Sequence, residues 1–346
     1  MNLNDITFTV IGNGHIGKRH AAIISGIEAR GEKRERIQNL ESRIQTEAGQ
    51  EPEARSQELL TAICTPNYLH CQQAIEAMRA GHDVIIEKPM GLKGAECREV
   101  IKVAKELDRK VFCVMQNRFS PPSKWLKELI GSGRLGKIYQ VQVNCFWNRN
   151  EDYYKQSKWK GKLAMDGGTL YTQFSHFIDT LFWLFGDIEP VGAQFFNFNH
   201  PYIEFEDSGV VQFQSHADFG DRKKILGDER QSFVGQINYS TSAYQQNLES
   251  SITILGEHGT VKVGGQYMEK ILACNVKDYE MPILAETQPP NDYGTYKGSA
   301  SNHVYVYENV LDVLAGKAEI ACTAEEGLKV VEFIEKVYAF RADFAD

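Results

Sequence analysis

Asp83-Val-Ile-Ile-Glu-Lys-Pro89 decides how the rest of the chain is read. Val84, Ile85 and Ile86 form a short β-branched run, the pattern of a strand buried on both faces of a parallel sheet. The run stops at Glu87-Lys88-Pro89. There the proline removes a backbone donor and restricts the residue before it, so the chain must leave the sheet. Ligands of open α/β sheets lie outside the carboxyl ends of the strands. Lys88 is therefore predicted to be a cation on a rigid mount at the mouth of a cofactor cleft.

Upstream, Ile6–Ile11 reads as the first strand and runs into Gly12-Asn13-Gly14-His15-Ile16-Gly17, a full G-x-G-x-x-G, with helical spacing from Lys18 to Gly26. Gly12 permits the tight turn, Gly14 the approach of a pyrophosphate, and Gly17 close packing of helix on strand. The helix N-terminus then offers unpaired N–H groups to the phosphates. Gly12, Gly14, His15, Ile16 and Gly17 are thus predicted to bind a dinucleotide, and His15 and His20 read as loop and helix residues rather than catalysts.

Residues 27–58 depart from the expected pattern, with 14 charged residues in 32 and no aromatic between Phe8 and Tyr68. Ile37, Leu40, Ile44 and Ala48 fall at helical spacing, where a second strand ending in an acidic residue is expected. Glu35 and Glu41 lie near the right distance, but Arg34 and Arg36 are equally close. NAD is the expected cofactor, and NADP stays open.

The pattern recovers in a strand at Leu60–Cys64, which exits into Thr65-Pro66-Asn67-Tyr68-Leu69-His70 before a helix Cys71–Ala80. After Lys88 come a helix Lys93–Leu107 and a strand Lys110–Met115 that ends in Gln116-Asn117-Arg118-Phe119. Three strand ends thereby bring Thr65, Pro66, Asn67, His70, Glu87, Lys88 and Gln116 to one cofactor rim. Pro121-Pro122 breaks the chain, placing a domain boundary between 1–121 and 122–346.

The second domain opens with a helix Ser123–Ile130 and a turn Gly131–Gly136. A long strand then alternates Val141, Val143, Cys145 and Trp147 with Gln140, Gln142, Asn144 and Phe146, as in a sheet packed on one face. Arg149–Gly161 is polar and aromatic, a loop expected over the cleft. Asp166-Gly167-Gly168 leads into a helix Thr169–Phe185 carrying His176, with Thr172 one turn earlier and Asp179 three residues later. The glycine pair, which lets a helix start close to a ligand, favours a functional His176. Strands are predicted at Val191–Phe196, Gly209–Gln214, Ser232–Ser242, Ser251–Leu255 and Thr260–Val263, followed by helices Asn302–Ala315 and Thr323–Phe340. Thr323 and Glu326 form a capping box.

The bulk numbers bound the class. A chain of 346 residues exceeds the usual single core. A net charge of −8 without a basic block argues against a nucleic-acid footprint. No apolar run spans a bilayer and no leader pattern stands at Met1–Val10, so a cytoplasmic protein off the membrane is expected. The seven cysteines are scattered, without a C-x-x-C pair, which fits reduced thiols and no zinc site. No His/Asp/Glu cluster has ligand spacing, so no metal is predicted.

The glycine loop, Cys64-Thr65-Pro66-Asn67, Glu87-Lys88-Pro89 and the helix with Gly167-Gly168, His176 and Asp179 together resemble the glucose–fructose oxidoreductase/inositol dehydrogenase (Gfo/Idh/MocA) family. Tyr153-Tyr154, Trp159-Lys160-Gly161 and Gln173-Phe174-Ser175-His176 look most like its branch of UDP-N-acetyl-2-amino-2-deoxyglucuronate dehydrogenases, which oxidise a sugar 3-hydroxyl. The resemblance implies an N-terminal Rossmann domain and a C-terminal α/β domain with a large, mainly antiparallel open sheet used for oligomerisation, as a homodimer or homotetramer. It implies that Lys88 and His176 are the catalytic pair. In inositol-dehydrogenase-like members an aspartate stands where this chain has Thr172, and the nucleotide-sugar branch also lacks it.

Removing a hydride from a sugar carbinol requires that the hydroxyl proton leave too. His176, with an ordinary pKa of about 6.5, suits the general base. Lys88 suits electrostatic stabilisation of the alkoxide, the two roles exchanging if burial lowers the lysine's pKa. Asn117, Arg118, Arg149, Tyr153, Trp159, Thr172 and Gln173 are the candidates for gripping the sugar or its diphosphate. Three other readings stand beside this one: a simple sugar or cyclitol dehydrogenase, a glycosidase with tightly bound NAD, and a non-catalytic oligomeric binding protein without cofactor.

Overall fold

A computed structural model describes residues 6–30, 58–215, 233–292 and 297–341. Residues 31–57, the bulk of the atypical stretch and the place where the second strand was sought, lie outside the described residues. The chain divides into two compact units, one of residues up to Met115 with His303–Val331, the other of Gln116–Asn302 with the residues from Glu332 onward. The return of 303–331 to the first unit is something a single boundary at residue 121 does not describe.

In the first unit, β1 (Ile6–Ile11), β2 (Glu58–Ile63), β3 (Asp83–Ile86) and β4 (Val111–Cys113) lie side by side in that order, all parallel. The helices are α1 (His15–Arg30), α2 (His70–Arg79) and α3 (Gly94–Glu106). Val84, Ile85 and Ile86 are fully buried. Covering such side chains contributes roughly 1.5–3 kcal/mol each, an upper figure because the unfolded chain already hides some surface. The strand ends are in register: Ile11 pairs with Ile63, Ile63 with Ile86, and Ile86 with Cys113. Every exit loop therefore leaves from one edge.

In the second unit, seven strands form one sheet: β5 (Ile138–Phe146), β6 (Ile188–Phe196), β7 (Ser208–Ser215), β8 (Val234–Ser240), β9 (Glu249–Gly256), β10 (Gly259–Gly264) and β11 (Lys270–Val276). Their order is β11-β10-β9-β5-β8-β7-β6, antiparallel except for the β5–β8 pair. β11 and a small ribbon, β12 (Pro290–Asp292) with β13 (Lys297–Ala300), escaped the sequence reading. In β5, Val141, Val143 and Cys145 are buried while Gln140 and Gln142 are exposed, so the sheet packs on one face.

Pro121-Pro122, read as a break, instead opens α4 (Pro121–Gly131). Ser120 caps it, its Oγ accepting from Ser123 N at 3.3 Å. Proline is tolerated there because first-turn N–H groups have no helical partner. Arg149–Gly161 is not a free loop: Asn150 caps a short helix α5 (Glu151–Lys155), and Tyr153 and Tyr154 are buried with Ile203 and Phe205. The remaining helices are α6 (Leu163–Asp166), α7 (Ser175–Phe185), α8 (His303–Leu314) and α9 (Ala324–Ala339). The capping box holds, Thr323 Oγ1 accepting from Glu326 N at 3.2 Å and Glu326 Oε2 from Thr323 N at 2.9 Å.

Candidate active site

Gly12 leaves β1 with φ of +107°, and a Cβ there would meet the Cys64 carbonyl oxygen at 2.6 Å. A Cβ on Gly17 would lie 1.8 Å from the Gly12 carbonyl oxygen, whereas one on Gly14 would meet nothing within 4 Å. Two glycines therefore serve the chain's own packing, and the third leaves open the surface a pyrophosphate needs. His15 begins α1, whose first turn carries no acidic side chain, so its positive end is left for an anion. These features fit a dinucleotide.

The neighbouring strand ends are braced from below. His70 places Nδ1 2.7 Å from the Pro89 carbonyl and Nε2 2.8 Å from that of Thr65, tying two exit loops together. Burial lowers its pKa, although both carbonyls favour the charged ring. Thr65 Oγ1 donates to Gln73 at 2.6 Å, and Asn67 is buried in a short 3-10 turn, Asn67–Leu69, after Pro66. His70, expected at the cofactor, is thus a buried brace.

Glu87 is another. Its Oε1 lies 2.9 Å from His20 Nε2 and 3.3 Å from His303 Nε2, and His20 Nδ1 lies 2.8 Å from the Tyr307 hydroxyl. Burial alone would raise the Glu87 pKa, but the hydrogen bonds from His20 and His303 hold it well below the usual carboxylate range. Its Oε2 accepts the Lys88 N–H at 3.1 Å. Lys88 itself is half-buried and precedes a cis peptide to Pro89. His20, Glu87 and His303 have donor atoms within 4.8 Å of one another, a grouping sequence spacing could not show. Their short contacts are those of a hydrogen-bonded network.

In the second unit the expected helix Thr169–Phe185 is interrupted. Leu170–Phe174 forms a π-helical turn before α7 begins at Ser175, an irregularity often met at functional sites. Thr172 is therefore not simply one α-turn before His176. It donates to the Asp166 carboxylate, and also to the Asp166 carbonyl at 3.1 Å. The glycine pair also has another reason. A Cβ on Gly168 would meet the Tyr338 hydroxyl at 2.3 Å, so the missing side chain makes room for a tyrosine of the same chain. That hydroxyl accepts from Leu170 N at 3.1 Å and donates to Glu206 at 2.6 Å.

His176 is buried near the start of α7, its carbonyl accepting from Thr180 Oγ1 at 2.8 Å. Arg118, a candidate for gripping substrate, directs its fork at Asp179: Nε donates to Oδ2 at 2.8 Å and a terminal nitrogen to Oδ1 at 2.5 Å, with both residues buried. Gln116, expected at the cofactor, donates to Ser299 of β13 at 3.0 Å. Its Oε1 and the Asn117 Oδ1 are buried and have no hydrogen-bond partner among the described residues.

Arg149, Tyr153 and Gln173 do come together. Arg149 Nε donates to Gln173 Oε1 at 2.7 Å, and Gln173 Nε2 donates to the Tyr153 hydroxyl at 2.7 Å. Trp159 is half-buried nearby in sequence. Sequence reasoning missed Asn247, whose Oδ1 accepts from Asn148 N at 2.8 Å and from Arg149 at 3.4 Å. It also missed His303 and Tyr307 in the first unit. Nothing in the sequence around these three marks them.

Lys88 belongs to the first unit and His176 to the second. Among the described residues, no helix is long and apolar enough to cross a membrane.

Comparison with known proteins supplies the wider frame. The WlbA dehydrogenase of Bordetella pertussis, solved with NADH and UDP-GlcNAcA, is 30% identical, with 99% of this chain and 98% of that one covered at a TM-score of 0.76. The scyllo-inositol 2-dehydrogenase (NADP(+)) IolW of Bacillus subtilis is 24% identical over 80% of this chain and 75% of its own length. An uncharacterized oxidoreductase of Synechocystis sp. is 31% identical over 131 residues, 38% of this chain and only 35% of that relative. Residues 6–115 match the oxidoreductase family with an NAD-binding Rossmann fold, and residues 124–262 match the GFO/IDH/MocA C-terminal domain. With a glycine loop built for a dinucleotide in one unit and a mainly antiparallel sheet in the other, this chain belongs to the GFO/IDH/MocA family of NAD-binding oxidoreductases.

Proposed function

We propose that this chain is an NAD(P)-dependent dehydrogenase of a sugar carbinol, with a nucleotide sugar as substrate and its 3-hydroxyl as the group oxidised. The observation that carries the reading is the edge of the first sheet. Ile11, Ile63 and Ile86 end in one row, so Lys88 leaves β3 on the same edge as the glycine loop leaves β1. Glu87 fixes the lysine's backbone there. The end-to-end similarity to a dehydrogenase solved with NADH and UDP-GlcNAcA supports the substrate class.

Bound NAD supplies the two-electron acceptor. Gly12, Gly14, His15, Ile16 and Gly17 hold its diphosphate, and Thr65, Pro66 and Asn67 line its path. His176 takes the hydroxyl proton at a ring nitrogen as the carbonyl forms. The Lys88 ammonium stabilises the negative charge that gathers on the oxygen. Asn117, Tyr153 and Gln173 orient the sugar. Val234 and Leu255 both pair with Gln140 on the open face and stay exposed, which suits a sheet covered by a second copy in a cytoplasmic homo-oligomer.

The test is a substrate panel followed by nicotinamide absorbance, run with wild type and Lys88→Met. UDP-GlcNAcA should drive reduction of NAD, and Lys88→Met should lower kcat by about 10²–10⁴-fold, the usual weight of such a group. Thermal stabilisation by NAD should persist in the variant. A variant with near-normal turnover ends the mechanism. Preference for a plain cyclitol moves the substrate toward that of IolW.

A further inference from the structure

Between β6 and β7 the chain makes a loop, residues 197–207, that is tied to itself. Asp207 sits at its base. Its Oδ2 accepts from Phe198 N at 3.1 Å and Asn199 N at 2.7 Å, and its Oδ1 from Ser208 Oγ at 2.8 Å. Asn197 closes the loop from the other side. Its Nδ2 donates to the carbonyls of His200 and Phe205 at 2.8 and 2.9 Å, and its Oδ1 accepts from His200 N at 3.0 Å. These bonds fix the backbone of His200, a residue 1% exposed.

The His200 ring spans two partners. Nδ1 lies 2.9 Å from Asp207 Oδ2, and Nε2 lies 2.6 Å from the carbonyl oxygen of Arg149. A carboxylate and a carbonyl can only accept, so each ring nitrogen bonds by donating. The rings of Tyr154 and Tyr202 stand edge-on to the imidazole at 5.4 and 5.6 Å, so packing also holds its orientation. The bond to Asp207 belongs to the loop's own bracing. The bond from Nε2 adds nothing to that closure and acts on the segment after β5.

Arg149 is thereby held on both sides of its backbone. Its N–H donates to the Thr241 carbonyl at 2.9 Å, and its carbonyl accepts from His200. Thr241 in turn donates its N–H to the Asp207 carbonyl at 2.8 Å, so both ties lead back to one aspartate. A long side chain reaches a set place only when the backbone that carries it is fixed. The Arg149 side chain meets Gln173 Oε1, and Gln173 meets the Tyr153 hydroxyl.

We propose that His200 is a positioning residue of the sugar site: it carries the fixed frame of the 197–207 loop to the Arg149 backbone and so sets where Gln173 and Tyr153 stand. The inference rests on the sugar-dehydrogenase reading, in which those two orient the substrate, and adds a residue that acts from behind Arg149. A small misplacement of an orienting group is costly to a reaction that needs its partners aligned.

Two substitutions divide the ring's two bonds. Asparagine carries its amide nitrogen at the δ position and can keep the bond to Asp207, whereas glutamine carries it at the ε position and can keep the bond to Arg149. Steady-state kinetics with NAD and UDP-GlcNAcA, beside melting temperatures with and without NADH, separate the roles. His200→Asn should raise KM for the sugar about tenfold, the weight of one buried hydrogen bond, and His200→Gln should bring it back to within about threefold of wild type. KM for NAD should stay unchanged in both. A sugar KM in His200→Asn no higher than in His200→Gln overturns the proposal, because a residue that only stabilises the loop is indifferent to which bond is kept. If His200→Asn does not fold, His200→Gln decides alone: a lowered melting temperature with an unaltered sugar KM supports the positioning role, and a raised sugar KM overturns it. If wild type binds NADH but turns over no UDP-GlcNAcA, the nucleotide-sugar reading fails, and deuterium exchange of the NADH-bound protein decides. Faster exchange of residues 149–156 and 170–175 in His200→Asn than in His200→Gln supports the positioning role, and equal exchange overturns it.

Discussion

The two units store charge in opposite ways. In the first, one buried carboxylate, Glu87, is enclosed by His20 and His303, with Tyr307 behind them. In the second, two cations, Arg149 and Lys160, face one ring with Asp166 as the carboxylate within reach. The first arrangement is hydrogen-bonded within the protein and acts as a brace for a strand end. The second sets two cations against one aromatic ring, with Gln173 hydrogen-bonded between Arg149 and Tyr153. Residues 83–89 thus sit on a carboxylate held by imidazoles, while residues 149–173 gather cations on an aromatic ring.

The largest expected effect breaks the first unit's side of the comparison. Gly17→Ala places a Cβ 1.8 Å from a backbone oxygen in the turn after β1. Backbone cannot yield as a flexible side chain can, so α1 must shift away from the strand. Thermal stabilisation by NAD should vanish, while Gly14→Ala, which meets nothing of the protein, should weaken only the cofactor. A Gly17→Ala protein that keeps the wild-type stabilisation would separate the glycine loop from cofactor binding.

Next in size is a buried, bidentate charge pair of the second unit, Arg118 with Asp179. Asp179→Ala leaves the buried Arg118 guanidinium without its bidentate partner. Breaking such a pair costs about 3–5 kcal/mol, because the remaining charge is not returned to water. Denaturant unfolding measures it, and a loss under about 1 kcal/mol would mean that water or another anion reaches Arg118.

How much of this the sequence made legible follows from the same contrast. Gly12 to Gly17 and Asp83 to Pro89 are contiguous stretches whose chemistry and fold are written in neighbouring letters, and they read correctly as loop and strand end. The alternation Val141, Val143, Cys145 gave the open sheet for the same reason. Partners far apart in the chain had no such signal: His20 meets Tyr307 and Glu87 meets His303 through the tertiary fold alone. Lys160 lay inside a stretch quoted for its resemblance yet carried no mark, since its neighbours Arg149 and Asp166 come from other turns of the chain. Gly168 carries a second meaning that the sequence did not show, because a glycine beside a helix start is equally useful to a ligand and to Tyr338. Residues 31–57, where a second strand ending in an acidic residue is expected, lie outside the described residues.

Acid should act on the first unit through its network. The carboxyl of Glu87 is held low, so its contribution is present above the unfolded value of about 4.3 and is lost as pH falls below it. His70 and His303 are both held low by burial, so below about pH 6.5 the unfolded chain takes protons that the folded chain refuses. Both effects have one sign: stability falls with acid, gently from about 6.5 and more steeply below about 4.3. Each histidine adds about 1.4 kcal/mol per pH unit to that slope. Unfolding midpoints of His303→Gln between pH 7 and 5 should show a shallower decline than wild type. An unchanged slope would mean that His303 is already charged in the fold.

The smallest effect bears on Asp166, the carboxylate of the second unit's cation cluster. The Thr172 hydroxyl is committed to Asp166. The π-turn separates it from a regular helical position relative to His176. Thr172→Val removes one hydrogen bond while Asp166 keeps that from Gly161 N. The cost should be about 1 kcal/mol of global stability. If Thr172 serves Asp166 and not the imidazole, the acid limb of kcat against pH should not move in Thr172→Val. A shifted acid limb would place the threonine in the proton path of His176.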